Sequence, residues 1–463
     1  MSNLSAILND IDTHRERYLE ELKELLRFPS VSTAPEHKAD VRRCAEWLRH
    51  HMNSIGLPTQ LYETEGHPIL VGERRDAPGK PTVLFYGHYD VQPPEPLERW
   101  TSPPFEATVR DGKLYARGAA DDKGQVFTHL KAWEAVLRHD GALPLNLKWL
   151  IEGEEEISSV HLPDFIAQRR EALAADYVVI SDSGQLAPGL PAITYGLRGI
   201  ATFEVRVQVA KRDLHSGSFG GAIANPIVVL SKVIARLHDE QGRVTVPGFY
   251  DDVLPLQAWE RKQFAALPLD EEELRDTLGV PQLYGEAGYT TLERVWARPT
   301  LELNGIVGGY GGEGFKTVLP SWALAKISCR LVPNQDPSRI GALVSDYLKQ
   351  LCPPTATLEV RYLGGGKPVV VNTESPAVQA AKRAIETGFG TPCVFIREGG
   401  SIPVVAMFKD LLGVDSLLLG WAQRDCNAHA PDEWIGLDDL HNGIRTAAAL
   451  LYEMAELGKE EGM

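Results

Sequence analysis

Three short and almost unbroken apolar runs, Thr82 to Tyr86, Leu145 to Ile151 and Tyr177 to Ile180, constrain this chain more than any other feature. Each has the length of a strand and is apolar on both faces, and a helical stretch from about Gly124 to Leu137 separates the first two. Such strands alternating with helices predict an α/β fold, a mixed or parallel central sheet covered on both sides. Ligands of such sheets gather just past the carboxyl ends of the strands. Here the residues met at those ends are His88 and Asp90, then Glu154-Glu155-Glu156, then Asp182.

Taken one at a time these residues have bland readings. His88 and Asp90 are two apart, so along a strand they project to one side. One can bind a metal while the other fixes the imidazole tautomer, but His-x-Asp pairs also arise by chance on surfaces. Asp121-Asp122 opens the helical stretch and would serve as an ordinary N-cap with dipole stabilisation. A charge run such as Glu154 to Glu156 is usually a solvated helix start. Together they supply imidazole and carboxylate to one place, and Asn427-Ala428-His429 adds a second imidazole. A carboxylate can bridge two divalent ions about 3.5 to 4 Å apart, and a spare glutamate can then take a proton from water whose pKa the metal has lowered towards about 7. The inventory points to a metal-dependent hydrolase.

The remaining chain changes character near Gly199. Phe203, Val205, Val207 and Val209 alternate with polar residues as in a half-buried strand, and Asn225-Pro226 caps a helix with Ile227, Leu230, Ile234 and Leu237 inward. An irregular acidic stretch lies around Asp270 to Glu273. A strand through Ile327, a helix with Ile340, Leu343, Tyr347 and Leu351 inward, and a strand alternating Leu358, Val360 and Tyr362 follow. This pattern predicts a small α+β domain inserted at 197–368, with Gly364-Gly365-Gly366 as the return hinge, between catalytic segments 1–196 and 369–463. Its His215 and Arg330 are far in sequence from the acids, and Gly399-Gly400-Ser401 reads either as a turn or as a backbone cradle for a carboxylate.

At 463 residues two domains are the default. A formal net charge of -16 argues against nucleic acid or anionic lipid as partner. No run reaches the roughly 18 apolar residues of a membrane span, and Asn9, Asp10 and Asp12 interrupt any secretory apolar region. Five scattered cysteines without a Cys-x-x-Cys pair suggest a reducing cytoplasm rather than a disulfide framework.

The chain resembles the aminoacylase and dipeptidase family of co-catalytic di-metal peptidases, nearest to its cytosolic non-specific dipeptidase and carnosine dipeptidase branch. The matching segments include Gly87-His88-Tyr89-Asp90, Asp121-Asp122-Lys123-Gly124, Glu154-Glu155-Glu156, Ile180-Ser181-Asp182, Asp213-Leu214-His215-Ser216-Gly217, Arg330-Leu331-Val332-Pro333-Asn334, Arg397-Glu398-Gly399-Gly400-Ser401 and Ala428-His429. The resemblance implies that His88, Asp121 and Asp182 hold one ion, and Asp121, Glu156 and His429 the other. It implies Glu155 as general base and Asp90 as the partner of His88, with a cis peptide between Asp121 and Asp122. The inserted segment would be a lid and dimerisation domain, His215 acting on the other subunit's site, with Thr317, Arg330 and Ser401 orienting a dipeptide or short peptide. Zinc, manganese or cobalt would suit the ligands. Two departures stand out: Ala430-Pro431 follows His429 where relatives are more polar, and Glu154 supplies a third acid beside the base and the ligand. Deacylation of N-acyl amino acids is the alternative chemistry, and a non-catalytic metal-binding scaffold the alternative class.

Overall fold

In the computed structural model the chain packs as two compact units, Met1–Tyr195 with Val371–Ile396 and Met407–Met463, and Gly196–Val370 with Arg397–Ala406. Residues 3–400 and 402–458 are described. Ser401 lies outside the described residues.

The first unit is built on a mixed sheet. Seven of its strands, in spatial order, are Thr59–Tyr62, Ile69–Arg75, Asn146–Glu152, Thr82–His88, Tyr177–Gly184, Ser416–Ala422 and Ala192–Leu197. The central four run parallel, and antiparallel strands flank them on either side. Parallel pairing needs both faces covered, and the apolar runs meet that need residue by residue. Phe85 packs edge-on against Trp133 of helix Lys123–Asp140. Its neighbour Tyr86, on the opposite face, packs edge-on against Phe408 of helix Pro403–Leu412. Helix Lys123–Asp140 is buried along most of its length, and helix Leu437–Ala455 packs against it with Leu440, Ile444, Ala447 and Leu451 buried. The strand Ser416–Ala422, buried at every residue, was not among the expected elements.

The second unit holds an antiparallel sheet in the order Thr300–Gly308, Trp322–Leu331, Gly199–Gln208, Thr357–Gly366. Phe203, Val205 and Val207 turn to one face, where they meet Val229, Leu230 and Val233 of helix Pro226–Ile234 and Ile340, Val344 and Leu348 of helix Pro337–Leu351. Each such side chain contributes about 1.5–3 kcal/mol of burial. Asn225 caps the first of these helices through Ile227 N–H, and Asp336 caps the second through Arg339 N–H.

Two local expectations change. Gly364, Gly365 and Gly366 are not a hinge but the end of a strand, paired with Thr202, Ala201 and Ile200 past a bulge at Tyr362/Gly364. At Gly365 no other residue fits, because a Cβ there would lie 2.1 Å from the Ile200 carbonyl oxygen. The acidic stretch is a helix, Glu271–Leu278, whose first turn gains from Asp270 accepting the N–H groups of Glu272 and Glu273. No helix among the described residues is long and apolar enough to cross a membrane.

Candidate metal centre

The parallel strands deliver the acids and histidines to one end of the sheet. His88 closes strand Thr82–His88, Asp182 lies in strand Tyr177–Gly184, and Glu155 and Glu156 sit in a single 3-10 turn just after Asn146–Glu152. Asp121 stands two residues before helix Lys123–Asp140, and the peptide joining it to Asp122, the helix N-cap, is cis. The glycine of the Asp-Asp-Lys-Gly motif is required by packing, since a Cβ on Gly124 would stand 1.9 Å from the Ala119 carbonyl oxygen. His429 arrives on a loop after the strand Ser416–Ala422, at a left-handed φ of 63°.

Two ligand groups result, His88 with Asp121 and Asp182, and Asp121 with Glu156 and His429. His88 Nε2 is 3.2 Å from Asp121 Oδ1 and 3.8 Å from Asp182 Oδ2. His429 Nε2 is 2.8 Å from Asp121 Oδ2 and 3.4 Å from Glu156 Oε2. Asp121 therefore turns one carboxylate oxygen to each group. Asp90 serves the frame: its carboxylate lies 3.3 Å from His88 Nδ1 and accepts the backbone N–H groups of Glu155 and Glu156 at 3.2 and 3.1 Å.

Glu154 and Asp122 separate from the other acids. The Glu154 carboxylate accepts His67 N–H at 2.9 Å and bonds His161 Nδ1 at 2.7 Å. Asp122 makes no side-chain cap to its helix; its Oδ2 accepts the His88 N–H at 3.2 Å. Gln92 was not singled out from sequence, yet its amide donates to Glu156 Oε2 at 2.7 Å. A glutamine in a Pro-rich loop carries no sequence signal that would separate it from a surface residue.

Charge balance shows what the cluster lacks. Burial raises the Asp182 carboxyl well above its usual range, with the charges of Asp121 and Asp122 adding to it. Burial likewise raises Glu155, and Glu156 to about 8, each with Asp121 as the strongest raising charge. Burial opposes a charge on Asp121 as well, but the hydrogen bond with His429 and the charges of the two flanking imidazoles outweigh it and hold that carboxyl far below the ordinary value. Its bond to Asp121 lifts His429 to about 9. Crowded carboxylates with protonated imidazoles as their nearest cations are a site asking for more positive charge. Two buried donor atoms, His88 Nε2 and Glu156 Oε1, have no hydrogen-bond partner among the described residues. One imidazole and two carboxylates per group, with these orphaned atoms, fit a pair of divalent ions such as zinc or manganese.

The remaining expected residues lie in the second unit. His215 is exposed in the two-residue strand Leu214–His215, paired with Val318 and Leu319, and its Nδ1 accepts the Gly217 N–H at 3.1 Å. Thr317 adjoins it, its carbonyl accepting the Ser216 N–H at 3.1 Å. Arg330 is not on an open surface: half-buried, it lines a cavity of about 340 Å3 with Arg198, Glu302 and Arg298. Burial and the charge of Arg330 lower the Arg198 guanidinium to about 10.

Residues 84–453 match the model of peptidase family M20/M25/M40. The Beta-Ala-His dipeptidase of Homo sapiens is 34% identical over 472 residues, spanning 98% of this chain and 93% of that protein. The Cys-Gly metallodipeptidase DUG1 of Candida albicans is 33% identical, spanning 97% of this chain and 97% of its own. Among solved structures, human carnosine dipeptidase 1 is similar with a TM-score of 0.83 at 32% identity, over 99% of this chain and 100% of that one. The M20 family metallo-carboxypeptidase Sso-CP2 from Sulfolobus solfataricus gives a TM-score of 0.85 at 34% identity, over 95% of this chain and 99% of that one. With two ligand groups joined through a single aspartate and this extent of likeness, the chain belongs to peptidase family M20/M25/M40 and is a di-metal metallopeptidase.

Proposed function

We propose that the protein is a dipeptidase in which Glu155 is the general base. His88, Asp121 and Asp182 would hold one ion, and Asp121, Glu156 and His429 the other. The observation that carries this reading is Asp121 facing both imidazoles, 3.2 Å from His88 and 2.8 Å from His429, with Glu155 close enough to feel the charges of both histidines and of Asp121. When bound, the ions polarise the scissile carbonyl and acidify water. Glu155 takes the proton of the attacking water and returns it to the leaving amine. Asp90 keeps His88 in one tautomer and fixes the turn that presents Glu155 and Glu156. Dipeptides are the substrate favoured by the relatives named for β-Ala-His and Cys-Gly cleavage. Arg330, with Thr317 and Ser401, would bind the free carboxylate of such a substrate, for which a guanidinium is the natural partner.

The second unit, around the expected 197–368, would act as lid and dimerisation domain, giving a homodimer in which His215 stabilises the oxyanion in the partner's site. In support, Thr300–Gly308 is an edge strand with Ile306 60% and Val307 53% exposed, apolar surface that a second copy would cover. A cytoplasmic setting accords with five cysteines that are all unpaired.

The test is turnover of a dipeptide panel beside N-acetyl amino acids, with zinc or manganese supplied. Cleavage of dipeptides that vanishes in Glu155→Gln is expected. Turnover of N-acyl amino acids alone would transfer the protein to deacylase chemistry, and metal binding without hydrolysis of any amide to a scaffold. Mixing His215→Ala with Glu155→Gln should restore partial activity to two inactive variants, since a hybrid dimer would own one complete site. No restoration would remove His215 from a role in trans.

A further inference from the structure

We propose that Glu433 is a positioning residue of the metal centre, clamping the loop that presents Asp121 to the loop that presents His429. The inference rests on the reading that these two residues ligate a common ion. Glu433 is fully buried, and both its oxygens are doubly engaged. Oε1 accepts the N–H groups of Ala120 at 2.8 Å and Asp121 at 3.1 Å. Oε2 accepts the Gly118 N–H at 3.0 Å and Arg117 Nη1 at 2.7 Å. The Glu433 carbonyl also accepts the Ala116 N–H at 3.1 Å, continuing the pairing of Trp434–Gly436 with Lys113–Tyr115.

Glu433 is four residues beyond His429, on a loop closed upon itself by Trp434 N–H donating to Cys426 O at 2.9 Å and Ala430 N–H to Asn427 O at 2.9 Å. One side chain thus ties together two segments more than 300 residues apart in sequence, each ending in a ligand of the second group. Four donors converging on two oxygens require a carboxylate; an amide would turn N–H groups against N–H groups. The buried Arg117 balances the charge of Glu433, so the clamp adds little net negative field beside the ions. Asp90 does the corresponding work on the other side, accepting the Glu155 and Glu156 N–H groups while facing His88. The centre is therefore hung from two carboxylates that are not ligands.

Glu433→Gln and Glu433→Asp, the latter in case the amide fails to fold, are compared with the wild type by zinc calorimetry and by the visible spectrum of the cobalt-loaded protein. A clamp of this kind should cost 10- to 100-fold in zinc affinity for at least one of the two ions, and shift the cobalt bands. Glu433→Asp, with the charge kept and the reach shortened, should show the same change to a smaller degree. Wild-type zinc affinities and unchanged cobalt bands in a folded variant would overturn the proposal, even if the metal-free protein were less stable, because that result describes a merely structural bond. Failure of the wild type to bind zinc would instead sink the metal-centre reading itself, a result distinguishable from any outcome of the Glu433 variants.

Discussion

The molecule contains two kinds of acid–histidine cluster, and their difference shows what makes a metal site. Glu21, His51 and Glu134 bring the same donor types as close together as the two groups around Asp121 do. There, however, the fully buried Lys131 donates to Glu21, to Glu134 at 2.8 Å and meets His51 Nε2 at 2.7 Å. The lysine supplies the cation permanently, and His51 responds: burial and the charge of Lys131 lower it to about 4, so it stays neutral. At the Asp121 cluster the nearest cations are the histidines themselves, with His429 at about 9. Equal donor sets with opposite histidine behaviour separate a self-neutralised structural cluster from one that recruits ions.

Removing the ions should break the comparison most completely. Chelation should abolish turnover and added zinc or manganese restore it; in Asp121→Asn, measured by metal analysis and assay, neither ion should be retained and no activity restored. Glu155→Gln should keep both ions and lose about 10^2- to 10^4-fold in kcat, read by steady-state kinetics. Lys131→Met should cost about 1–3 kcal/mol of stability by removing the buried ammonium that Glu21, Glu134 and His51 share, with Arg17 still paired to both carboxylates, read by denaturant unfolding, with kcat unchanged. The same contrast should show in pH. His429 and Glu156 lie above their usual values, at about 9 and about 8, so in the metal-free protein both carry protons at neutral pH. An ion must displace those protons, so its affinity should rise with pH up to about 9 and fall below it, by about tenfold per unit for each proton released. Calorimetry in buffers of different ionisation heat measures that release; binding indifferent to pH between 6 and 9 would contradict it.

Much of this was legible in the chain because the strands that carry the site are apolar on both faces. Thr82–His88, Asn146–Glu152 and Tyr177–Gly184 announce themselves by composition, and the residues in or just past their carboxyl ends are the ones that converge. Ser416–Ala422 is just as apolar, but no ligand stands at its carboxyl end: His429 follows seven residues later, on a loop. Glu433 was illegible for a different reason: its meaning is four hydrogen bonds to residues that precede it by more than 300 positions, and no local pattern encodes them. The three glycines at 364–366 misled because glycine marks both hinges and close strand approach, and at Gly365 a neighbouring backbone required it.

The place of Ser416–Ala422 inside the sheet, between Tyr177–Gly184 and Ala192–Leu197, governs when the enzyme can come into being. A nascent chain that has emerged only as far as Ala192–Leu197 still lacks a central strand, and with it the loop bearing the last imidazole. Synthesis at about 5–20 residues per second therefore leaves an open sheet exposed for tens of seconds before the ions can be captured. Activity during that interval is withheld by the order of the gene, because the second ligand group cannot close until His429 has been made.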